Sequence, residues 1–166
     1  ALLRDLRFHR PGEDHPGSGE DLLVAHLDHG MRAGSERDAQ WLAGICRAWG
    51  LPFVAHRPPR APRNEEEART ARYDFLEAVR AEVGGVAILT AHHADDQAET
   101  VLFRILRGTG LAGLRGIPSR RGAIHRPMLH LSRSQIESYV RRHGVPYRTD
   151  PTNALLRYTR NRIRHE

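Results

Sequence analysis

Residues 86–106 constrain the fold more than any other stretch. The run Val86-Ala87-Ile88-Leu89-Thr90 is short and apolar, as a buried strand requires. Downstream, Ala98, Val101, Leu102, Ile105 and Leu106 recur at helical spacing, predicting a helix over 96–107. Between the two periods lie His92, His93, Asp95, Asp96 and Glu99. Two imidazoles and three carboxylates thus gather at the carboxyl end of a strand, where open α/β sheets bind ligands. Asp96 and Glu99 have capping-box spacing, and capping accounts for that pair. It leaves His92, His93 and Asp95 unexplained, which favours a site.

The same alternation runs upstream. Leu22 to Leu27 reads as a strand ending in His26, Asp28 and His29. Glu36 to Trp49 reads as an amphipathic helix with Ser35 as N-cap, Asp38 three residues later and Gly50 closing it. Pro52 to His56 is a short strand, and the Pro- and Arg-rich segment 57–63 is a loop. Asn64 caps a helix to about Val83, with Glu65, Glu66 and Glu67 in a first turn where the dipole favours anions. Three strand–helix repeats predict an α/β fold with a parallel sheet and helices on both faces. Ala1 to Arg7 reads as the tail of a helix and His9 to Glu20 as a surface loop. Beyond Gly108 the texture changes. Residues 108–122 are rich in Gly and Arg and read as a mobile loop, and Ser132 caps a helix to His143.

Charge divides the chain unequally. Residues 1–100 carry 12 Arg and 17 Asp or Glu, whereas 101–166 carry 14 Arg and 3 acids, net charges of −5 and +11. Arg is the sole basic residue apart from His. Guanidinium forks bind phosphate bidentately, so a polyanionic partner is expected along the basic third. Cys46 lies in the apolar stripe Trp41, Leu42, Ile45 and Trp49, and reads as a small buried hydrophobe rather than a ligand or nucleophile. No apolar run is long enough to span a bilayer and no signal peptide is found, so a cytoplasmic protein is expected.

Several segments together resemble one family. Residues 91–100, AHHADDQAET, are similar to the HHxDDQxET motif of tRNA(Ile)-lysidine synthetases, in the PP-loop (N-type) ATP pyrophosphatase superfamily. The similarity extends over His26 to Arg32 (HxDHGxR), Leu102 to Leu111, Arg126 to Leu129, Asp150 to Asn153 and Tyr158 to Arg164. It covers most of the chain from Leu22 onward, in the family's order. The resemblance implies an adenine nucleotide alpha hydrolase-like, Rossmann-like domain. It implies ATP-dependent adenylation of the wobble cytidine of tRNA(Ile) with a CAU anticodon, followed by attack of L-lysine to form lysidine. ATP, Mg²⁺, tRNA(Ile) and L-lysine are the implied cofactors and partners, with no membrane; a homodimer is allowed.

The site residues follow from the same resemblance. Asp96, Arg72, Asp95 and Glu99 are assigned to catalysis, with Mg²⁺ or the lysine ammonium on Asp95 and Asp96. His26, Asp28, His29, His92, His93 and Arg107 are assigned to ATP; Arg32 is either a phosphate contact or a solvated loop residue. Arg104, Arg120, Arg121, Arg126, Arg160, Asn161 and Arg164 are assigned to tRNA or substrate. Plainer readings stand beside these: a turn at Asp28, a helix-surface ion pair for Arg72 with Glu65 or Glu66, and dipole compensation for Arg104 and Arg107. Residues 67–73, EARTARY, approach the family's ExxARxxRY with one residue fewer after Glu67.

The family's SGGxDS phosphate loop precedes a segment like Ala1 to Leu6, so the chain is expected to be an N-terminally truncated fragment: a nucleotide-binding core over 1–107 and a basic, tRNA-facing part over 108–166. A noncatalytic RNA-binding remnant is one alternative. A tRNA thiolase is another, disfavoured by the single Cys46.

Overall fold

A computed structural model describes residues 22–32, 34–111 and 113–149. The proposed N-terminal helix tail and loop, together with Tyr158, Arg160, Asn161 and Arg164, lie outside them. The chain divides after Val86 into two compact units.

In the first unit, β1 (Val24–Leu27) pairs in parallel with β2 (Phe53–His56), Val24 opposite Phe53 and Leu27 opposite His56. Helix α1 (Glu36–Ala48) joins them, and α2 (Glu65–Glu82) follows β2. Val24, Leu27, Cys46 and Ala68 are buried in this unit. The Cys46 thiol is free, and burial pushes its pKa up, as expected of a packing residue. Asn64 caps α2 by accepting from the Glu67 N–H at 2.8 Å, an interaction that contributes about 1 kcal/mol. Glu67 Oε2 in return accepts from the Arg63 N–H. Ser35 occupies the N-cap position of α1, but its backbone is already helical and its side chain makes no capping bond. Asp38 pairs instead with Arg32.

The second unit contains β3 (Ile88–Leu89), α3 (Ala94–Leu106), a 3₁₀ turn at Gly113–Arg115, β4 (Arg120–Arg121), β5 (Ile124–His125) and α4 (Arg133–His143). β5 lies between β3, to which it is parallel, and β4, to which it is antiparallel. The strand expected over 86–90 is shorter: Val86 is 94% exposed, and the ladder runs from the Ile88 N–H on the Ala123 carbonyl to the Thr90 N–H on the His125 carbonyl. Helix α3 begins two residues earlier than expected, at Ala94. Ser132 caps α4 in a reciprocal box with Gln135, as its sequence predicts.

The segment read as a mobile loop is tied down instead. Gln97 on α3 donates to the Ile117 carbonyl and accepts from the Ile117 N–H, and Arg104 Nη1 donates to the Gly113 and Gly116 carbonyls at 2.9 and 3.1 Å. Helix α3 and the turn it grips, on either side of residue 108, thus pack within one unit. Gly116 has φ +63°, and a Cβ there would stand 2.6 Å from Gln97 Oε1. Gly122, in the β4–β5 turn, has φ +58° but open space around it.

Gly116→Ala should accordingly destabilise the chain by about 2–4 kcal/mol, combining left-handed backbone strain with overpacking. Gly122→Ala should cost about 1–2 kcal/mol, from strain alone. Urea unfolding of the two variants checks the order; equal losses would mean that Gln97 does not fill the Gly116 site.

Candidate functional site

The first unit gathers polar groups at the carboxyl end of β1. Asp28 follows the strand and is only 6% exposed. Its Oδ1 accepts from the Gly30 N–H at 2.9 Å, a bond that turns the chain at Gly30 (φ +64°), and its Oδ2 lies 3.6 Å from Arg57. Burial raises the Asp28 pKa, but the Ser35 hydroxyl, the Gly30 N–H, Arg57 and His26 together hold it below the usual range. The turn expected at Asp28 is therefore formed, and the same carboxylate also anchors an arginine.

That arginine was not singled out by motif or spacing. Arg57 leaves the end of β2, the neighbouring strand, and reaches both Asp28 and Glu36. A Cβ at Gly30 would meet its guanidinium at 3.0 Å, so the glycine provides space as well as conformation. The parallel register, with Leu27 opposite His56, is what places Arg57 beside Asp28. Only the pairing of strands, which one chain's local pattern does not specify, could have indicated it.

Arg72 projects from α2 to His29, with Nε and Nη2 at 3.3 and 3.1 Å from the ring Nε2. This contact replaces the ion pair considered with Glu65 or Glu66. Burial, followed by the nearby Arg72 charge, lowers the His29 pKa. Burial also lowers that of His26, against the opposing pull of Asp28 and Asp38. Both imidazoles are therefore neutral at pH 7, and His29 Nε2 serves as an acceptor. Arg32 is held by Asp38.

The second unit carries the His and Asp cluster. His93, in extended conformation, is the N-cap of α3, and its N–H donates to Asp96 Oδ2 at 2.9 Å. The capping pair is thus His93 with Asp96, three residues upstream of the Asp96–Glu99 pair suggested by spacing. Asp95 Oδ2 accepts from the N–H of Arg133, the first residue of α4, at 2.9 Å. That bond chiefly lowers the Asp95 pKa, so this carboxylate is ionised at the amino end of a second helix. The His93 ring lies 3.6 Å from both carboxylates, Nδ1 from Asp95 and Nε2 from Asp96. His92 Nδ1 is 3.1 Å from Thr90 Oγ1, and Glu99 is buried further along α3.

Among the described residues, no three His, Cys, Asp or Glu side chains are grouped to hold a metal. Asp95 and Asp96 are two adjacent carboxylates, each with one oxygen engaged by a backbone N–H. Such a pair suits Mg²⁺, which uses one or two protein carboxylates and completes its shell with water and phosphate oxygens.

The arginines assigned to RNA separate into classes. Arg120 and Arg121 are exposed on β4. Arg126, assigned to tRNA or substrate, is 4% exposed with Nη1 on the Pro118 carbonyl at 2.8 Å, and Arg104, assigned likewise, grips the 113–116 turn; both act as internal ties. Arg107, expected at ATP, ends α3 with its guanidinium 4.2 Å over the Phe103 ring.

The family model described as the PP-loop domain matches residues 8–166. The chain belongs to the PP-loop domain family. It is 43% identical over 151 residues to a tRNA(Ile)-lysidine synthase of Thermotoga sp. (strain RQ2), covering 87% of this chain and 36% of that protein. The corresponding protein of Gloeobacter violaceus is 42% identical, over 91% of this chain and 48% of the relative. That of Deinococcus radiodurans is 44% identical, over 86% and 25%. The chain thus spans a quarter to a half of the length of these relatives. Among solved structures, a U34-tRNA thiolase from Methanococcus maripaludis with a [4Fe-4S] cluster shares the fold, with a TM-score of 0.64 at 14% identity over 79% of this chain and 49% of that one. The α/β architecture and PP-loop membership expected from sequence are therefore established.

The lowered histidine pKa values give a pH dependence. Between the folded-state pKa values and about 6.5 the unfolded chain binds more protons than the folded one. Stability contributed by neutral His26 and His29 is complete above about pH 6.5 and declines as the pH falls through their folded pKa values. NMR titration of the imidazole C–H signals should give midpoints below 6.5 for both, and Arg72→Gln should raise that of His29; an unmoved His29 midpoint would show that Arg72 does not set its charge.

Proposed function

We propose that the chain is a catalytic-domain segment of a tRNA(Ile)-lysidine synthase, a carbon–nitrogen ligase. The single observation that supports this best is the β3–α3 junction, where His93, Asp95 and Asp96 are held in fixed relation at the start of a helix. The segment carrying them lies within the stretch about 40% identical to synthases of that name.

In the proposed reaction, the wobble cytidine oxygen O2 attacks the α-phosphorus of ATP and pyrophosphate leaves. The ε-amine of L-lysine then attacks C2, the C2–O2 bond breaks with release of AMP, and the amine surrenders a proton. Each step develops negative charge on phosphate or needs a cationic amine brought close, so fixed carboxylates and guanidiniums contribute by electrostatics and positioning. Mg²⁺, when bound to Asp95 and Asp96, would neutralise phosphate charge. Asp95, held ionised, and Asp96 beside it also suit the lysine ammonium before it is deprotonated. Within the first unit, Arg72, which already donates to neutral His29, is suited to phosphate oxygens, and His26 and Asp28 beside it are suited to the nucleotide. Glu99 would support the two aspartates.

The U34-tRNA thiolase with the same fold carries an iron–sulfur cluster. Cys46, buried and the single cysteine in the sequence, supports the ligase reading over a thiolase.

Asp96 offers a clean test, because Asn retains an oxygen to accept the His93 N–H while removing the charge. In the full-length enzyme, Asp96→Asn should lower lysine incorporation into a tRNA(Ile) transcript by 100-fold or more, on the order of 3 kcal/mol of transition-state stabilisation, with an unchanged melting temperature. Turnover near that of the parent would restrict Asp96 to capping.

The basic third supports tRNA as partner. Arg120→Ala with Arg121→Ala should make the slope of log K against log salt shallower by roughly one to two. Arg47→Ala with Arg60→Ala, in the acidic portion, should leave it unchanged. Equal effects in a salt titration would reduce the arginine surplus to bulk charge.

A further inference from the structure

We propose that one flank of α4, carrying Tyr139, Arg142 and His143, continues through Tyr147 as a surface that binds unpaired RNA by base stacking. The inference rests on the reading that the partner is RNA, and assigns residues that the motif resemblance does not reach.

The helix divides its charges by face. Val140 is buried and Ile136 is half-buried, so the stripe 136–140 packs inward. At 100° per residue, Arg133, Glu137 and Arg141 fall on one side of that stripe; Gln135, Tyr139, Arg142 and His143 fall on the other. Glu137, the helix's single acid, is committed to Arg133 at 2.9 Å and lies 3.9 Å from Arg141. No carboxylate on α4 therefore opposes an anion beside Tyr139.

The rings supply the second component. Tyr139 and His143, one turn apart, pack with centroids 4.3 Å apart, which fixes the Tyr139 ring at the surface rather than leaving it to rotate freely. Tyr139 is 37% exposed and Tyr147 67% exposed. Gly144, in the left-handed conformation, ends α4, and the Val145 N–H returns to the Val140 carbonyl at 3.0 Å. Buried Val145 thereby anchors the short segment that presents Tyr147.

Exposed aromatics cost apolar hydration, and exposed arginines of one sign repel each other. An RNA strand with unstacked bases relieves both, since bases stack on the rings while phosphates meet the guanidiniums. A duplex offers the phosphates alone.

The test uses the full chain and a fluorescein-labelled oligoadenylate of about ten nucleotides, with a duplex RNA of the same length as control. Tyr139→Ala and Tyr147→Ala should each weaken binding of the single strand about fivefold or more, as loss of one stacked base predicts, and leave duplex binding unchanged. Tyr139→Phe should bind as the parent does, showing that the ring rather than its hydroxyl or the fold is responsible. Arg142→Gln should lower the salt slope by about one.

Parental affinity of both alanine variants for the single strand would overturn the stacking surface. If tRNA binding still depended on Arg120 and Arg121, the RNA reading itself would survive. Equal losses on duplex and single strand, or displacement of the oligonucleotide as effectively by polyglutamate, would reduce the surface to charge and overturn it as well.

Discussion

In the second unit, the Arg133 N–H donating to Asp95 ties two helix starts together. It joins the first turn of α3 to the first turn of α4, and the adjacent Ala94 N–H on the Leu131 carbonyl reinforces it. An ionised carboxylate at a helix amino terminus is favourable without any further partner. The negative charge of Asp95 is therefore part of what holds the unit together, and the proposed chemistry would have to use this carboxylate where it stands. Asp96 is similarly constrained by the His93 N–H. Both carboxylates of the candidate site are thus structural groups as well.

The first unit solves a different problem. A nearly buried carboxylate, Asp28, is kept charged by a backbone N–H, a hydroxyl and Arg57, while the imidazoles around it are kept neutral by burial and Arg72. Charge is thus sorted among closely spaced groups rather than averaged across them. Neutral imidazoles accept or donate without adding positive charge, leaving that task to guanidiniums whose protonation does not change with pH.

Much of this was legible from residue order because the relevant signals are local. Period switching at residue 90, Asn64 and Ser132 as caps, and the inert burial of Cys46 all follow from a few neighbouring side chains. Failures occurred where a distant partner decides the outcome. Val86 is apolar yet exposed, because β5 pairs with only the end of that run. Residues 108–122 look pliable by composition, yet Gln97 and Arg104 immobilise their backbone. Arg126 and Arg120 are chemically identical in sequence, and only the packing buries one and exposes the other.

The fit of Gln97 against Gly116 has an evolutionary corollary. The amide fills the volume that any side chain at 116 would occupy, and both of its ends are committed to Ile117. Position 116 is therefore closed to a side chain twice over, by its left-handed backbone and by the amide of Gln97. A shorter residue at 97 would open room at 116 but abandon two backbone groups of the turn. Divergent relatives should therefore keep glycine at 116 whatever stands at 97, and a chain that lost Gln97 would need another donor and acceptor to hold the approach to the β4–β5 hairpin.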